Sequence, residues 1–105
     1  MTDSQSRLEI NDDADSVRVV GEIDAHSAPE LAERLAAFEG GGDRRVDMSG
    51  VEFMDSSGLR VLIDAHQTAE AEGARLVLVA PGRAVSRIIE VSGLSNHLNV
   101  EAGQV

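Results

Sequence analysis

The chain has 105 residues and carries 9 Lys and Arg against 19 Asp and Glu, a formal net charge of −10 at pH 7. This length leaves room for about one domain. The acidic surplus repels phosphate backbones and the 2% aromatic content leaves few surfaces on which bases could stack, so we expect no nucleic-acid partner.

The cysteine content and the hydropathy pattern restrict the compartment and the chemistry. The chain contains no cysteine, which excludes disulfides and thiolate metal sites and is typical of a reducing compartment. The longest apolar run, Leu76–Ala80, is far shorter than the about 20 residues of a membrane helix, and residues 1–7 lack the apolar segment of a signal peptide. We therefore expect a cytoplasmic protein without membrane insertion.

The first predicted elements are two antiparallel strands. Short β-rich runs at Leu8–Ile10 and Val17–Val20 flank the turn-forming cluster Asn11–Asp15, and Ile23 extends the second strand. A helix is then expected from Ser27, which can cap backbone amides with Glu30 as the partner of a capping box.

The first helix should bury one apolar stripe. Leu31, Leu35 and Phe38 recur at helical spacing, and the glycine triplet at 40–42 is expected to end the helix. A short strand is predicted next, at Val46–Met48, and Val51–Met54 leads from it to Asp55.

The rest of the chain predicts a βαβ unit and one more helix. A second helix has apolar positions from Leu59 onwards and stops at Gly73, and the buried strand Leu76–Val79 follows. A third helix is expected between Pro81 and Gly93, with a last short strand at Leu98–Val100. The sequence thus predicts a single α/β domain with an ordered core at about residues 8–101, in which helices pack mainly on one side of a mixed sheet of four to five strands.

The most informative segment is Asp55–Gly58, which lies where the second helix begins. Backbone amides at a helix start lack intrahelical partners, so they could hold a phosphate carried by Ser56 or Ser57. Gly58 should leave the backbone open to a docking partner. The alternative is structural: a serine before a helix is often only an N-cap, which contributes about 1 kcal/mol.

Other chemistry finds little support in the sequence. Met54 stands where a nucleophile elbow needs its first glycine. His26, together with Asp24, could still be imagined as a base near Ser56. The Asp-x-His pattern recurs at Asp64 and His66 without a closed set of metal ligands. We therefore expect no catalytic residue, no metal site and no cofactor, and hence no enzyme.

Three motifs in the chain together resemble a known family. They are Gly21–Asp24 with Ser27–Pro29, then Phe53–Leu59, and finally Ile88–Leu94. In this order and spacing they resemble the STAS domain family of bacterial anti-sigma factor antagonists over about residues 8–101. The resemblance implies the STAS fold, a small mixed sheet with helices on one face, in agreement with the periodicity.

The resemblance also implies a partner switch. The unphosphorylated form would bind an anti-sigma factor that is also an ATP-dependent serine kinase, and so free a sigma factor for transcription. Phosphorylation on Ser56 would abolish binding and a protein phosphatase would restore it, with Ser57 left open as the alternative acceptor. The expected partner-binding residues are Asp24, Asp55, Ser56, Ser57, Gly58, Leu59 and Arg60.

One position departs from the family pattern. The residue after Leu59 is commonly glycine in the family, whereas here it is Arg60, which we expect in the first helical turn and able to pair with a phosphate or with an acidic partner. Two other functions stay open at this point. The domain could be a STAS-like, non-switching subunit of a transport or stress-signalling complex, with Ser56 only a cap, or a small nucleotide-binding protein.

Overall fold

A computed structural model describes residues 8–12, 16–38 and 42–102. Within these ranges five strands and three helices follow one another along the chain. They are β1 (Leu8–Asp12), β2 (Ser16–Ile23), α1 (Ala28–Ala36), β3 (Gly42–Met54), α2 (Ser56–Ala71), β4 (Ala74–Val79), α3 (Arg83–Val91) and β5 (Asn99–Glu101).

The strands form one mixed sheet in the order β1-β2-β3-β4-β5. β1 runs antiparallel to β2, with Leu8 opposite Gly21, and the other neighbours are parallel. A helix joins each parallel strand to the next one along the sheet, and such crossovers are right-handed, so all three helices lie on the same face. The predicted α/β class and the mixed sheet are confirmed.

One hydrophobic core lies between the helices and this face of the sheet. The strands contribute Val19, Met48 and Leu78, each with no exposed surface. The helices contribute buried side chains to the same cluster, among them Leu31 of α1, Leu62 of α2 and Val85 of α3. The core therefore holds all three helices at fixed positions above the strands.

β3 runs from Gly42 to Met54 and is much longer than the short strand expected at Val46–Met48. Its register against β2 shifts twice, each time by one extra residue on β3. Each shift reverses which side chains face the core, so the buried positions change from a spacing of two, at Val46 and Met48, to a spacing of three, at Val51 and Met54. Gly21 of β2, with φ +116°, lies at the second shift.

Several predicted boundaries move by a few residues. α1 ends at Ala36, before the glycine triplet, of which Gly40 and Gly41 lie outside the described residues, as does the turn at 13–15. Gly73 and Gly93 follow α2 and α3 with φ of +77° and +80°, which confirms both as helix stops. No helix in the described ranges has the length and apolar character to cross a membrane.

The start of α2 places Arg60 differently from the expectation. The helix begins at Ser56, inside the predicted segment Asp55–Gly58, because Asp55 acts as its N-cap. Arg60 is consequently the fifth helical residue, one full turn after Ser56, rather than part of the first turn.

Candidate functional site

Two of the motifs meet at the carboxyl ends of β2 and β3. Ile23 lies opposite Met54 in the parallel register, and the Asp55 amide donates to the Ile23 carbonyl oxygen at 3.1 Å. Asp24 and Asp55, which directly follow these paired residues, are therefore neighbours at one edge of the sheet. The fold thus brings together motifs that are about thirty residues apart in the chain.

Asp24 organises the loop before α1. Its Oδ1 accepts hydrogen bonds from the Ser27 amide at 3.0 Å and the His26 amide at 2.9 Å. The bond from the Ser27 amide is the main cause that holds the pKa of Asp24 below its ordinary value, against an opposing effect of desolvation. Asp24 is therefore a fixed negative charge beside the start of α2.

The capping box expected at Ser27 is wrong. The Ser27 hydroxyl donates to the Glu22 carbonyl oxygen at 3.0 Å and accepts from the Asp24 amide at 3.1 Å, and it makes no capping bond to α1. Ser27 is 2% exposed, so these bonds satisfy a buried hydroxyl and tie the end of β2 to the start of the helix.

Asp55, rather than a serine, caps α2. Its Oδ1 accepts from the Ser57 amide at 2.8 Å and from the Gly58 amide at 3.4 Å. Two of the amides that we expected to hold a phosphate are therefore already occupied by a carboxylate. The reading of Ser56 as the N-cap is also wrong, because Ser56 is the first helical residue.

The two serines of the motif differ in accessibility. Ser56 is exposed, and its hydroxyl makes no hydrogen bond to any residue in the described ranges. Ser57 is half-buried and its amide is held by Asp55. A modifying enzyme would therefore reach the Ser56 hydroxyl more easily, and no existing hydrogen bond would be lost.

Gly58 serves packing, and the expectation that it leaves the backbone open is wrong. A Cβ at this position would lie 2.6 Å from Ile23 Cγ2 and 2.6 Å from Met54 Cγ, so only glycine lets α2 approach the strand ends this closely. Leu59 is 7% exposed and belongs to the core. Gly58 thus lies beneath the surface, and Leu59 contributes mainly to the core.

An open groove of about 650 Å³ runs between the start of α1 and the outer face of α2. Its polar lining consists of Ser56, Ser57, Arg60 and Asp64. Apolar side chains line the rest, namely Ala25, Ala28, Pro29, Leu59, Val61 and Ile63. Asp24 and Asp55 are not among the lining residues, so the predicted site divides into an acidic edge and this groove.

Phe53 is a surface residue that the sequence reasoning missed. Its side chain is 47% exposed, which is unusual for an aromatic ring, and it lies opposite Glu22 in the register. The exposure follows from the register shifts in β3, because Val51 and Met54 take the core positions on either side. The pairing of β3 with β2, and not the strand sequence, reveals that this ring is exposed.

The alternative chemistries gain no support from the geometry. The Asp24 carboxylate accepts from the backbone amides of His26 and Ser27, and no bond joins it to the exposed His26 ring. His66 lies 3.5 Å from the Glu70 carboxylate on the same helix. Among the described residues no group of three or more His, Asp or Glu side chains could hold a metal ion.

Comparisons with known proteins agree with this arrangement. A family model described as "STAS domain" matches residues 5–103. An anti-sigma-B factor antagonist of Bacillus subtilis is 32% identical over 93 residues, which cover 88% of this chain and 85% of that protein. One of Listeria monocytogenes is 34% identical over 85 residues, covering 79% and 75%.

Solved structures show the same similarity. An anti-sigma factor antagonist from Mycobacterium paratuberculosis has a TM-score of 0.75 and 30% identity, over 90% of this chain and 83% of that one. SpoIIAA in its unphosphorylated form shares the fold, with a TM-score of 0.70 at 19% identity, over 93% and 88%.

Proposed function

Because the chain belongs to the STAS domain family, we propose that it is an anti-sigma factor antagonist controlled by phosphorylation of Ser56. In its unphosphorylated form it binds an anti-sigma factor and so frees a sigma factor for transcription in the cytoplasm. It acts by binding and not by catalysis. The observation that carries the proposal is an exposed, unbonded Ser56 hydroxyl beside a rigid acidic edge.

The phosphoryl donor is ATP, and the anti-sigma factor is itself the serine kinase. The Ser56 hydroxyl oxygen forms a bond to the γ-phosphorus, the bond from that phosphorus to the bridging oxygen of ADP breaks, and the hydroxyl proton passes to a base of the kinase. A protein phosphatase reverses the change by hydrolysis of the phosphoserine. The exposure of Ser56, against the half-buried Ser57, supports Ser56 as the acceptor.

A phosphate at this position opposes binding for electrostatic reasons. It adds about −1.5 to −2 charges at pH 7 next to the carboxylates of Asp55 and Asp24. A partner that fits the unmodified surface would have to desolvate this group, which costs several kcal/mol unless matched cations face it. Since each 1.4 kcal/mol is a factor of ten, a few unmatched contacts suffice to release the partner.

The partner surface combines three kinds of residue. Asp24 and Asp55 supply charge, while Ser56, Ser57 and Arg60 supply polar groups along the first turns of α2. Phe53, close to Asp55 in the chain and half exposed, supplies an apolar anchor of the kind that dominates interface energies. Because Gly58 and Leu59 are buried, we assign them a positioning role: they hold α2 against the strands and so set where Ser56 lies.

Affinity capture with defined phosphoforms tests the proposal. The baits are the unmodified chain, Ser56→Ala, the chain carrying phosphoserine at 56, and a matched control carrying phosphoserine at the exposed Ser95. Proteins captured from the native cell lysate are identified by mass spectrometry. We expect the first two baits and the Ser95 control to retain an anti-sigma factor with a kinase domain, and the Ser56 phosphoform to lose it.

The captured kinase then provides a second measurement. Incubation with ATP should place phosphate on Ser56 of the unmodified chain and leave Ser56→Ala unlabelled. Equal capture by all baits would overturn the switch and favour a non-switching subunit of another complex. Labelling of Ser57 in the unmodified chain would overturn the choice of acceptor.

A further inference from the structure

Arg60 lies one helical turn after Ser56 on the same face of α2. Residues at i and i+4 of a helix have Cβ atoms about 5–6 Å apart, so a guanidinium at 60 can reach a group attached to Ser56. Both residues are exposed and both line the same groove. The side chains thus share one solvent-open space.

The Arg60 guanidinium has no partner among the residues that the structure describes. It makes no hydrogen bond or ion pair with any residue in the described ranges, although Asp64 follows one turn later and lines the same groove. In the described ranges Arg44, Arg45 and Arg75 do form ion pairs, as Arg44 does with Glu72 at 2.8 Å. Arg60 is therefore a cation without a fixed partner, beside the acceptor serine.

Because Asp55 caps α2, a phosphate on Ser56 would depend more strongly on a nearby cation. Asp55 already accepts from the amides of Ser57 and Gly58, so a phosphate on Ser56 cannot take these donors without displacing a carboxylate. The phosphate would instead lie next to that carboxylate, with like-charge repulsion between them. A mobile guanidinium, which binds phosphate oxygens with two parallel hydrogen bonds, compensates this charge.

We propose that Arg60 is the internal counter-ion of phosphoserine 56 and that phosphorylation draws its side chain along α2 to the phosphate. This inference rests on the proposed function, because it takes phosphorylation of Ser56 as given. The modification then changes the groove at two positions, since it adds an anion at 56 and withdraws a free cation at 60 from a partner.

The second pKa of the phosphate measures this pairing without kinase or partner. The chain with phosphoserine at 56 is prepared with Arg60, Arg60→Lys and Arg60→Ala, and with Arg87→Ala on α3 as a matched control at an exposed arginine. Phosphorus NMR against pH gives the second pKa of the phosphate, ordinarily about 6. Circular dichroism checks that each variant is folded.

We expect Arg60→Ala to raise this phosphate pKa by about 0.5 unit, because the nearby cation that favours the dianion is lost. Arg60→Lys should raise it less, Arg87→Ala should leave it unchanged, and 0.5 M salt should reduce the difference by about half or more. A phosphate pKa that is equal with arginine and alanine at position 60 would overturn the inference. The outcome of the capture experiment does not depend on this phosphate pKa. Failure of the proposed function and failure of this inference can therefore be told apart.

Discussion

Two helix starts lie at the same edge of the sheet and differ in almost every chemical respect. α2 follows β3 and α3 follows β4, both after parallel strands. α2 is capped by the Asp55 carboxylate, whereas α3 has Gly82 as its N-cap and no side-chain capping bond. A Cβ at Gly58 would meet two side chains within 3 Å, whereas one at Gly82 would meet no atom within 4 Å.

The comparison separates topology from function. Both starts follow the carboxyl ends of parallel strands, the end at which open α/β sheets place their sites. Only at α2 do a fixed carboxylate, an exposed serine and a neighbouring acidic loop coincide. The local side chains, and not the crossover, therefore single out one of the two. The predictions below concern variants that exchange or remove these differences between the two helix starts.

The largest expected effect is a loss of stability when a side chain is added at Gly58. Gly58→Ala should lower the free energy of unfolding by about 1–3 kcal/mol, because the added methyl group overlaps Ile23 and Met54. Gly82→Ala is the matched control and should change it by no more than about 0.5 kcal/mol. Urea unfolding of both variants measures the difference, and equal losses would show that the close approach at α2 is not what holds the helix.

The next effect concerns the exposed apolar residues near each start. Phe53→Ala should weaken binding of the anti-sigma factor at least about tenfold, or about 1.4 kcal/mol, because a partly exposed ring beside the site serves as an anchor. Val100→Ala, at 48% exposure against 47% for Phe53, is the matched control and should bind as the unmodified chain does. Calorimetric titration gives both affinities. Tight binding by Phe53→Ala would remove this ring from the interface.

Changing the caps should have a smaller effect. Asp55→Ala should cost about 1 kcal/mol of stability, whereas Asp55→Asn should be nearly neutral because asparagine caps equally well. Gly82→Asp introduces the missing cap at α3 and should stabilise the protein by about 0.3 kcal/mol. Thermal unfolding reports all three. Equal stability of Asp55→Ala and the unmodified chain would mean that the carboxylate does not hold α2.

The smallest effect is a dependence on pH in the acid range. The pKa of Asp24 is lowered in the folded protein, chiefly by the Ser27 amide, so ionised Asp24 favours folding. This contribution is complete above the unfolded pKa of about 3.9 and disappears as pH falls through the lower folded pKa. Between pH 7 and pH 3 the unmodified chain should therefore lose more stability than Asp24→Asn.

Asp64→Asn is the control for this measurement, since Asp64 is exposed and accepts no hydrogen bond from the described residues. Urea midpoints at the two pH values should fall as steeply in Asp64→Asn as in the unmodified chain. An equally steep fall in Asp24→Asn would contradict the assignment of the pH dependence to Asp24.

Local patterns in the sequence correctly predicted those features that depend on a single local effect. Gly73 and Gly93 ended helices, because a left-handed residue costs glycine little. Ser27 and Gly58 were misinterpreted, because a hydroxyl near a helix and a glycine in a motif each have several possible uses. In the structure the Ser27 hydroxyl donates to the Glu22 carbonyl oxygen, and Gly58 packs closely against Ile23 and Met54.

The sequence by itself determined the class of the fold and the identity of the acidic, serine-bearing motif. Periodicity and turn residues act over short distances, and the motif is contiguous from Phe53 to Leu59. Only the tertiary structure decided that Asp24 lies beside Asp55 and that Phe53 faces solvent. These outcomes depend on the register between β2 and β3, which is set by packing across the whole sheet and not by any local segment.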